Sequence, residues 1–274
     1  MSIPNILAQR YASEDMTIIW SSENKVLLER ELWIAVLQAQ REVGQDIPEE
    51  AIAAYQRTKN DINLESILER EKIVKHDVKA RIEEFCDLAG YQLIHKGMTS
   101  RDLTENIEQL QIRQSVELIQ IQAVAALVHL AKLSEQYSET PITGRTHNVA
   151  AQVTTVGKRF ANAAEEMLLA FLNLEDIIRT YPMRGVKGPV GTQQDLLELL
   201  GDDEKVTEFE ASISEHLGFH STLESVGQVY PRSLDFNIVS SLVQLSSGPA
   251  NLAKTLRLMA GHDLATEGFQ DGQV

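Results

Sequence analysis

Apolar residues recur at intervals of three and four along most of the chain, the spacing that gathers side chains on one face of a helix. Residues 22 to 44 start at Ser22, carry Leu28, Leu32, Val36 and Ala39, and stop at Gly44. Pro48 opens a further helix, and Val78, Ile82, Phe85 and Ala89 keep helical spacing up to Gly90. No segment alternates apolar and polar residues with period two, so the expected fold is all-α.

From Thr99 no Gly or Pro occurs until Pro141, which predicts one long helix. Leu103, Ile107, Leu110, Leu118, Ile121, Ala125 and Val128 form one stripe, and Ile112, Val116, Ile119, Ala123, Leu127 and Leu130 form another. Two stripes imply burial on two sides. At ~1.5 Å per residue such a helix is ~58 Å long, more than a monomeric domain of this size needs, so partner chains are expected to cover part of it. The run from Val149 through Val153, Val156, Phe160, Ala164, Met167, Phe171, Leu174 and Ile178 to Tyr181 predicts a second long helix, stopped by Pro182. The segment PMRGVKGPVGT reads as a solvated turn. Shorter helices are expected around 193–200 and 203–217, then a third long helix from Ser233 that Gly248 and Pro249 should kink or break. A domain boundary near residue 98 would separate an N-terminal helical domain, 1–98, from a long-helix bundle domain, 99–274, incomplete at its C-terminal end.

Composition narrows the function. Forty acidic against 25 basic residues give a formal net charge of −15, which disfavours broad binding to nucleic acid or an anionic membrane. Cys86 is the only cysteine, so an intrachain disulfide and a cysteine metal cluster are excluded and a reducing compartment fits. It reads as a small packing residue in its helix. Neither a signal peptide nor an uninterrupted apolar run long enough to span a bilayer is evident, and a cytoplasmic location is expected.

Three polar clusters interrupt the helical pattern, each at an expected helix mouth. In KHDVKA the plainest reading is an N-terminal cap by Asp77 with solvated Lys75 and His76. In HKGMTSRDLTEN, Thr99 and Ser100 begin the longest helix, with Asp102 placed to complete a capping box. The same hydroxyls and free N–H groups also suit a carboxylate or phosphate. In GRTHNVAAQ, capping requires only one of Thr146, His147 and Asn148. The surplus leaves two readings open: a surface cap, or a histidine placed as a general acid.

RYASEDMTIIWS, KHDVKA, GMTSRDLTEN, GRTHNVAAQ and EGFQDGQV, in this order, resemble the adenylosuccinate lyase family of the fumarase and aspartase superfamily. The resemblance runs over essentially the whole chain. It implies an all-helical C–N lyase that releases fumarate without water or any metal or organic cofactor. The implied substrates are adenylosuccinate, giving AMP, and the succinylcarboxamide ribotide of purine synthesis, giving its aminoimidazole carboxamide ribotide. It further implies a homotetramer whose active sites are shared between chains. Carried over residue by residue, His147 resembles the general acid and His76 the second active-site histidine. Arg10 and Tyr11 match a nucleotide-binding pair, Lys75 and Asp77 flank His76 in the binding segment, and Thr99 with Ser100 match the pair holding a substrate carboxylate. Gln228 and Arg232 match further binding positions.

This sequence departs from the family pattern at Asn148, where glycine is common, at Val153, where proline is common, and at Ser233, where aspartate is frequent. The family's mobile Gly- and Ser-rich loop, which carries Met-Pro, Lys and the serine acting as general base, is expected after DGQV, beyond Val274. The rest of the central domain and a third domain are expected there too, so residues 1–274 alone are expected to be inactive. Two other readings compete: a sister lyase acting on argininosuccinate, aspartate or malate, and a noncatalytic helical scaffold.

Overall fold

The computed structural model describes residues 5–266, 268, 271 and 272, with eleven helices and one two-stranded sheet among them. The fold is all-α apart from that hairpin. Much of EGFQDGQV lies outside the described residues.

Short helices lead in: α1 (Ile6–Tyr11), capped by Asn5, and α2 (Glu14–Ile19), capped by Ser13. Ser21, one residue before the expected start, accepts from Asn24 N–H and caps α3 (Ser22–Glu42). α4 (Glu49–Thr58) follows Pro48, and α5 (Leu64–Val74) ends on Lys75, whose left-handed φ of 56° turns the chain into α6 (Asp77–Ala89). α6 stops on left-handed Gly90. The long helix is α7 (Ser100–Gln136), and it leads to strands β1 (Pro141–Thr146) and β2 (Val149–Thr155). Then come α8 (Val156–Thr180), α9 (Gln194–Leu200), α10 (Asp203–His216) and α11 (Ser233–Ala260).

Two compact units result: residues 1–115 with 180–234, and 116–179 with 235–274. The chain therefore crosses between units three times, where the sequence suggests one boundary near residue 98. α7, α8 and α11 belong in part to each.

In the first unit, Trp33, Tyr55 and Phe85 are fully buried, and Arg30 lies 4.6 Å above the Phe85 ring. Arg30 is buried too, and its charge is answered by Glu84 and by the Thr58 and Lys59 carbonyls at the end of α4. A helix C-terminus offers such orphan carbonyls, with the negative end of its dipole. The α3, α5 and α6 helices meet at Val26, Ile67 and Ala80. This packing fixes the start of α6, where His76 sits.

In the second unit, α7 buries Val116, Ala123 and Leu130, one heptad apart, while Ile121, Val124 and Val128 remain exposed. By length and composition this helix would also serve to cross a membrane. The count of uninterrupted apolar residues missed this because Glu117, Gln120, Gln122 and His129 punctuate the run. Gly248 lets α11 close on α8: a Cβ there would lie 2.8 Å from the Ala163 carbonyl oxygen. α11 continues through Pro249 rather than breaking at it.

The helix expected from Val149 begins instead at Val156, and residues 141–155 form the hairpin. Val149 and Val153 are four residues apart, which places them on one side of a helix or of a strand alike. The β-branched content of VAAQVTT decides for the strand. Thr155 supplies the cap of α8 by accepting from Lys158 N–H at 3.2 Å.

Candidate active site

His76, not Asp77, caps α6. Its Nδ1 accepts from Lys79 N–H at 3.3 Å, and its Nε2 lies 3.4 Å from Ser100 Oγ at the mouth of α7. With Nδ1 accepting, a neutral ring carries its proton on Nε2 and donates to the serine. Asp77 Oδ1 is 3.5 Å from Nδ1, ready to pair with the protonated ring. Partial burial pushes Asp77 up, but hydrogen bonds from Arg81 and Val78 N–H, with the charges of Arg81 and His76, hold it below the ordinary aspartate value. Behind it, Arg81 Nε approaches Oε2 of the fully buried Glu29 to 2.7 Å, outside hydrogen-bonding direction. Burial raises Glu29 to about 7, against the opposing pull of Arg81 and Lys25.

Asp102 does more than cap. Its Oδ2 accepts from Thr99 N–H at 2.8 Å, completing the capping box. Its Oδ1 takes the Lys187 N–H at 2.9 Å, the Gly188 N–H at 3.0 Å and the Arg184 guanidinium at 2.5 Å. Asp102 and Arg184 are both fully buried. Arg184 in turn donates to the Gly227 carbonyl at 3.0 Å, next to Gln228. Asn106 exchanges hydrogen bonds with Gly185 N–H and C=O, Gln109 accepts from Arg184 N–H and donates to the Pro182 carbonyl, and Lys187 pairs with Glu210 at 2.6 Å.

Residues 183–188 of the segment read as a solvated turn are instead a buried knot, while Pro189, Val190 and Thr192 are exposed. The knot's main-chain groups are satisfied by polar residues of α7, by Glu210 of α10, which takes the Val186 N–H, and by the Ser221 carbonyl, which takes the Met183 N–H, as burial demands. At Gly191, φ is 80° and a Cβ would stand 1.8 Å from the Val226 carbonyl oxygen, so only glycine admits this approach. Sequence reasoning read Asp102 only as a cap and missed Asn106, Gln109 and Arg184. The signal was present: Asp102, Glu105, Asn106 and Gln109 are a polar stripe at helical spacing on a helix scanned only for apolar stripes.

Two more expected residues flank this knot. Arg232 meets Glu105 at 3.2 Å and Glu108 at 3.4 Å and lies 4.2 Å above the Tyr230 ring. Gln228 is exposed. Arg10 and Tyr11 end an α1 that buries no residue, and Lys75 is exposed. No hydrogen bond or ion pair joins Arg10, Tyr11 or Lys75 to His76 among the described residues. His95, another polar residue of this region, accepts from Trp33 Nε1 at 3.0 Å. Burial pushes it down to about 4, against the pull of Asp102.

His147 belongs to the second unit, where it sits at the hairpin tip rather than at a helix mouth. His147 and Asn148 take left-handed φ values of 51° and 63°. Positive φ at both central residues makes a tight hairpin turn of the kind that matches strand twist. Arg145 locks the turn by donating to the Asn148 carbonyl at 2.8 Å. The imidazole is exposed on this tip.

Residues 10–224 match the profile of the lyase family. The chain belongs to that family. It is 31% identical to adenylosuccinate lyase of Saccharomyces cerevisiae over 98% of this chain and 57% of the relative. It is 28% identical to adenylosuccinate lyase of Archaeoglobus fulgidus over 97% of this chain and 58% of the relative. The chain thus spans rather more than half the length of these curated relatives. Fumarate lyase from Mesorhizobium sp. BNC1 shares its fold, with a TM-score of 0.78 at 23% identity over 92% of this chain and 59% of that one. The 3-carboxy-cis,cis-muconate lactonizing enzyme from Pseudomonas putida does so with a TM-score of 0.79 at 16% identity, over 94% and 58%.

Proposed function

We propose that this lyase chain belongs to a cytoplasmic enzyme of purine synthesis that eliminates fumarate from adenylosuccinate, leaving AMP, and from the succinylcarboxamide ribotide, leaving its aminoimidazole carboxamide ribotide. The observation that carries the reading is the 3.4 Å approach of His76 to Ser100, which joins two segments assigned by resemblance to a single substrate. In the reaction a base takes the proton from the carbon beside a carboxylate, the C–N electron pair leaves with nitrogen, and His147 protonates that nitrogen. Thr99 and Ser100 hold the substrate carboxylate with hydroxyls and with the N–H groups of the α7 terminus, which face the negative charge that builds up. His76 orients Ser100, and Lys75, Asp77, Gln228, Arg10, Tyr11 and Arg232 complete the binding set.

The acid and the base would come from different segments. Exposed Ile121, Leu169, Phe236 and Val243 on the long helices of the second unit support self-association into a homotetramer with shared active sites. The test uses a chain extended through the serine loop and third domain, following fumarate release. His147→Ala there should lower turnover roughly 10²- to 10⁴-fold with folding intact. Undiminished turnover would remove His147 as the acid, and an extended chain inert toward both substrates would overturn the reading as a whole.

A further inference from the structure

Glu29 of α3 is fully buried, and neither oxygen of its carboxylate has a hydrogen-bond partner among the described residues. Arg81 of α6 brings its Nε to 2.7 Å from Oε2 without forming a hydrogen bond, and Nη2 of the same guanidinium donates to Asp77 Oδ2 at 2.8 Å. Two carboxylates thus share one cation, one bonded to it and the other facing it. Asp77 turns its second oxygen, Oδ1, to within 3.5 Å of His76 Nδ1, and His76 Nε2 reaches Ser100 Oγ. A line of polar groups therefore joins the buried carboxylate to the mouth of α7. The charged groups acting on Glu29 are Arg81 and Asp77 of α6 and Lys25 of its own helix. A carboxylate buried without hydrogen bonds resists ionising, and burial raises Glu29 to about 7 against the pull of Arg81 and Lys25. Near neutral pH the guanidinium accordingly faces either a neutral Glu29 or a charged one.

We propose that Glu29 is a positioning residue for His76, acting through Arg81 and Asp77: when charged, it draws the guanidinium back from Asp77, whose carboxylate then pairs more firmly with the His76 ring. A neutral Glu29 leaves Arg81 to Asp77 and loosens that pairing. An imidazole held toward its charged form is the better partner for an anionic substrate. Neither Glu29 nor Arg81 is among the residues that the family resemblance assigns to the site. The effect on substrate rests on the role given to His76 and Ser100 under the proposed function, whereas the link from Glu29 to Asp77 needs no turnover.

The test has two arms. In the 274-residue protein, the NMR resonance of the Arg81 Nε–H should shift with a midpoint near pH 7 and should stop doing so in Glu29→Gln, which keeps the shape of the side chain and removes its charge. The Glu29 Cδ resonance of the unmodified protein should share that midpoint, which keeps the proposal testable if the variant fails to fold. In the chain extended through the serine loop and third domain, Glu29→Gln should raise KM roughly 3-fold at about pH 8.5, where Glu29 is charged, and leave it unchanged at about pH 5.5, with kcat little altered at either. Glu31→Gln removes a carboxylate of the same helix that pairs with Lys59 and should change neither measurement. An Arg81 resonance that ignores pH near 7, or that still shifts in Glu29→Gln, overturns the proposal. So does a KM unchanged at both pH values or changed equally at both. An extended chain inert toward both substrates strikes the assignment of His76 to substrate, while the resonances still decide the link from Glu29 to Asp77.

Discussion

The hairpin tip and the Asp102 knot are built on opposite terms. His147 stands on two exposed residues held by one short ladder and one side-chain bond, and little else in the chain depends on it. Asp102 is fully buried, and its carboxylate holds Thr99, Arg184, Lys187 and Gly188 together. An imidazole proposed to give up a proton needs access to its substrate. A carboxylate that sets the helix mouth against the 226–228 segment needs rigidity, which burial and a full set of hydrogen bonds supply.

Breaking the knot should have the largest effect. Asp102→Ala leaves Arg184 buried with its charge uncompensated, a loss of roughly 3–5 kcal/mol of stability. Urea unfolding measures it directly. A loss below about 1 kcal/mol, the range of exposed ion pairs, would show that the pair is hydrated and that the two regions differ less than their burial indicates.

The same contrast explains what the sequence made legible. Helix ends marked by Ser21, Pro48, Gly90 and Pro182 fall within a residue or two of their expected places, because capping and breaking are local. His76, Ser100 and His147 are singled out instead by the family resemblance that the five motifs carry. The knot was not legible because its partners are about 80 residues apart: nothing local to MRGVKG says that Asp102 will take its N–H groups. Nor does anything local say that Glu210 will neutralise Lys187. The hairpin was misread for a different reason, the coincidence of helix and strand spacing at Val149 and Val153.

Acid sharpens the comparison at intermediate cost. His95 is pushed down to about 4 from an ordinary 6.5 by burial. Its depressed pKa means that the unfolded chain takes up the proton first, so the contribution to stability is full above pH 6.5 and is lost as pH falls toward 4. Between pH 7 and 5 the loss is about 2 kcal/mol. Glu29, raised to about 7, works in the opposite direction: the folded chain protonates first, and stability rises as pH falls from 7 toward 4.5. The two offset one another in the unmodified protein. His95→Asn keeps an acceptor for Trp33 Nε1 and tolerates the φ of 68°, but removes the titration. Relative to the unmodified chain it should gain about 2 kcal/mol on moving from pH 7 to pH 5 in paired urea unfolding curves. Parallel stabilities at the two pH values would mean that His95 is hydrated rather than held neutral by its partial burial.

The smallest effect is expected at the hairpin tip, and there its sign carries the information. A histidine at φ 51° occupies a backbone region that costs an L-residue roughly 1–2 kcal/mol and costs glycine nothing comparable. Glycine in its place would relieve that strain but add chain entropy to the unfolded state, which takes back roughly 0.5–1 kcal/mol. His147→Gly should therefore leave stability unchanged or raise it by up to about 1 kcal/mol, where Asp102→Ala removes several. A stabilised variant would mean that the turn keeps a strained imidazole against its own folding preference, as strain retained at working sites does. If His147→Gly instead lost more than about 1 kcal/mol, the imidazole would be a structural contact of the second unit, and the contrast between an expendable tip and an essential knot would fail.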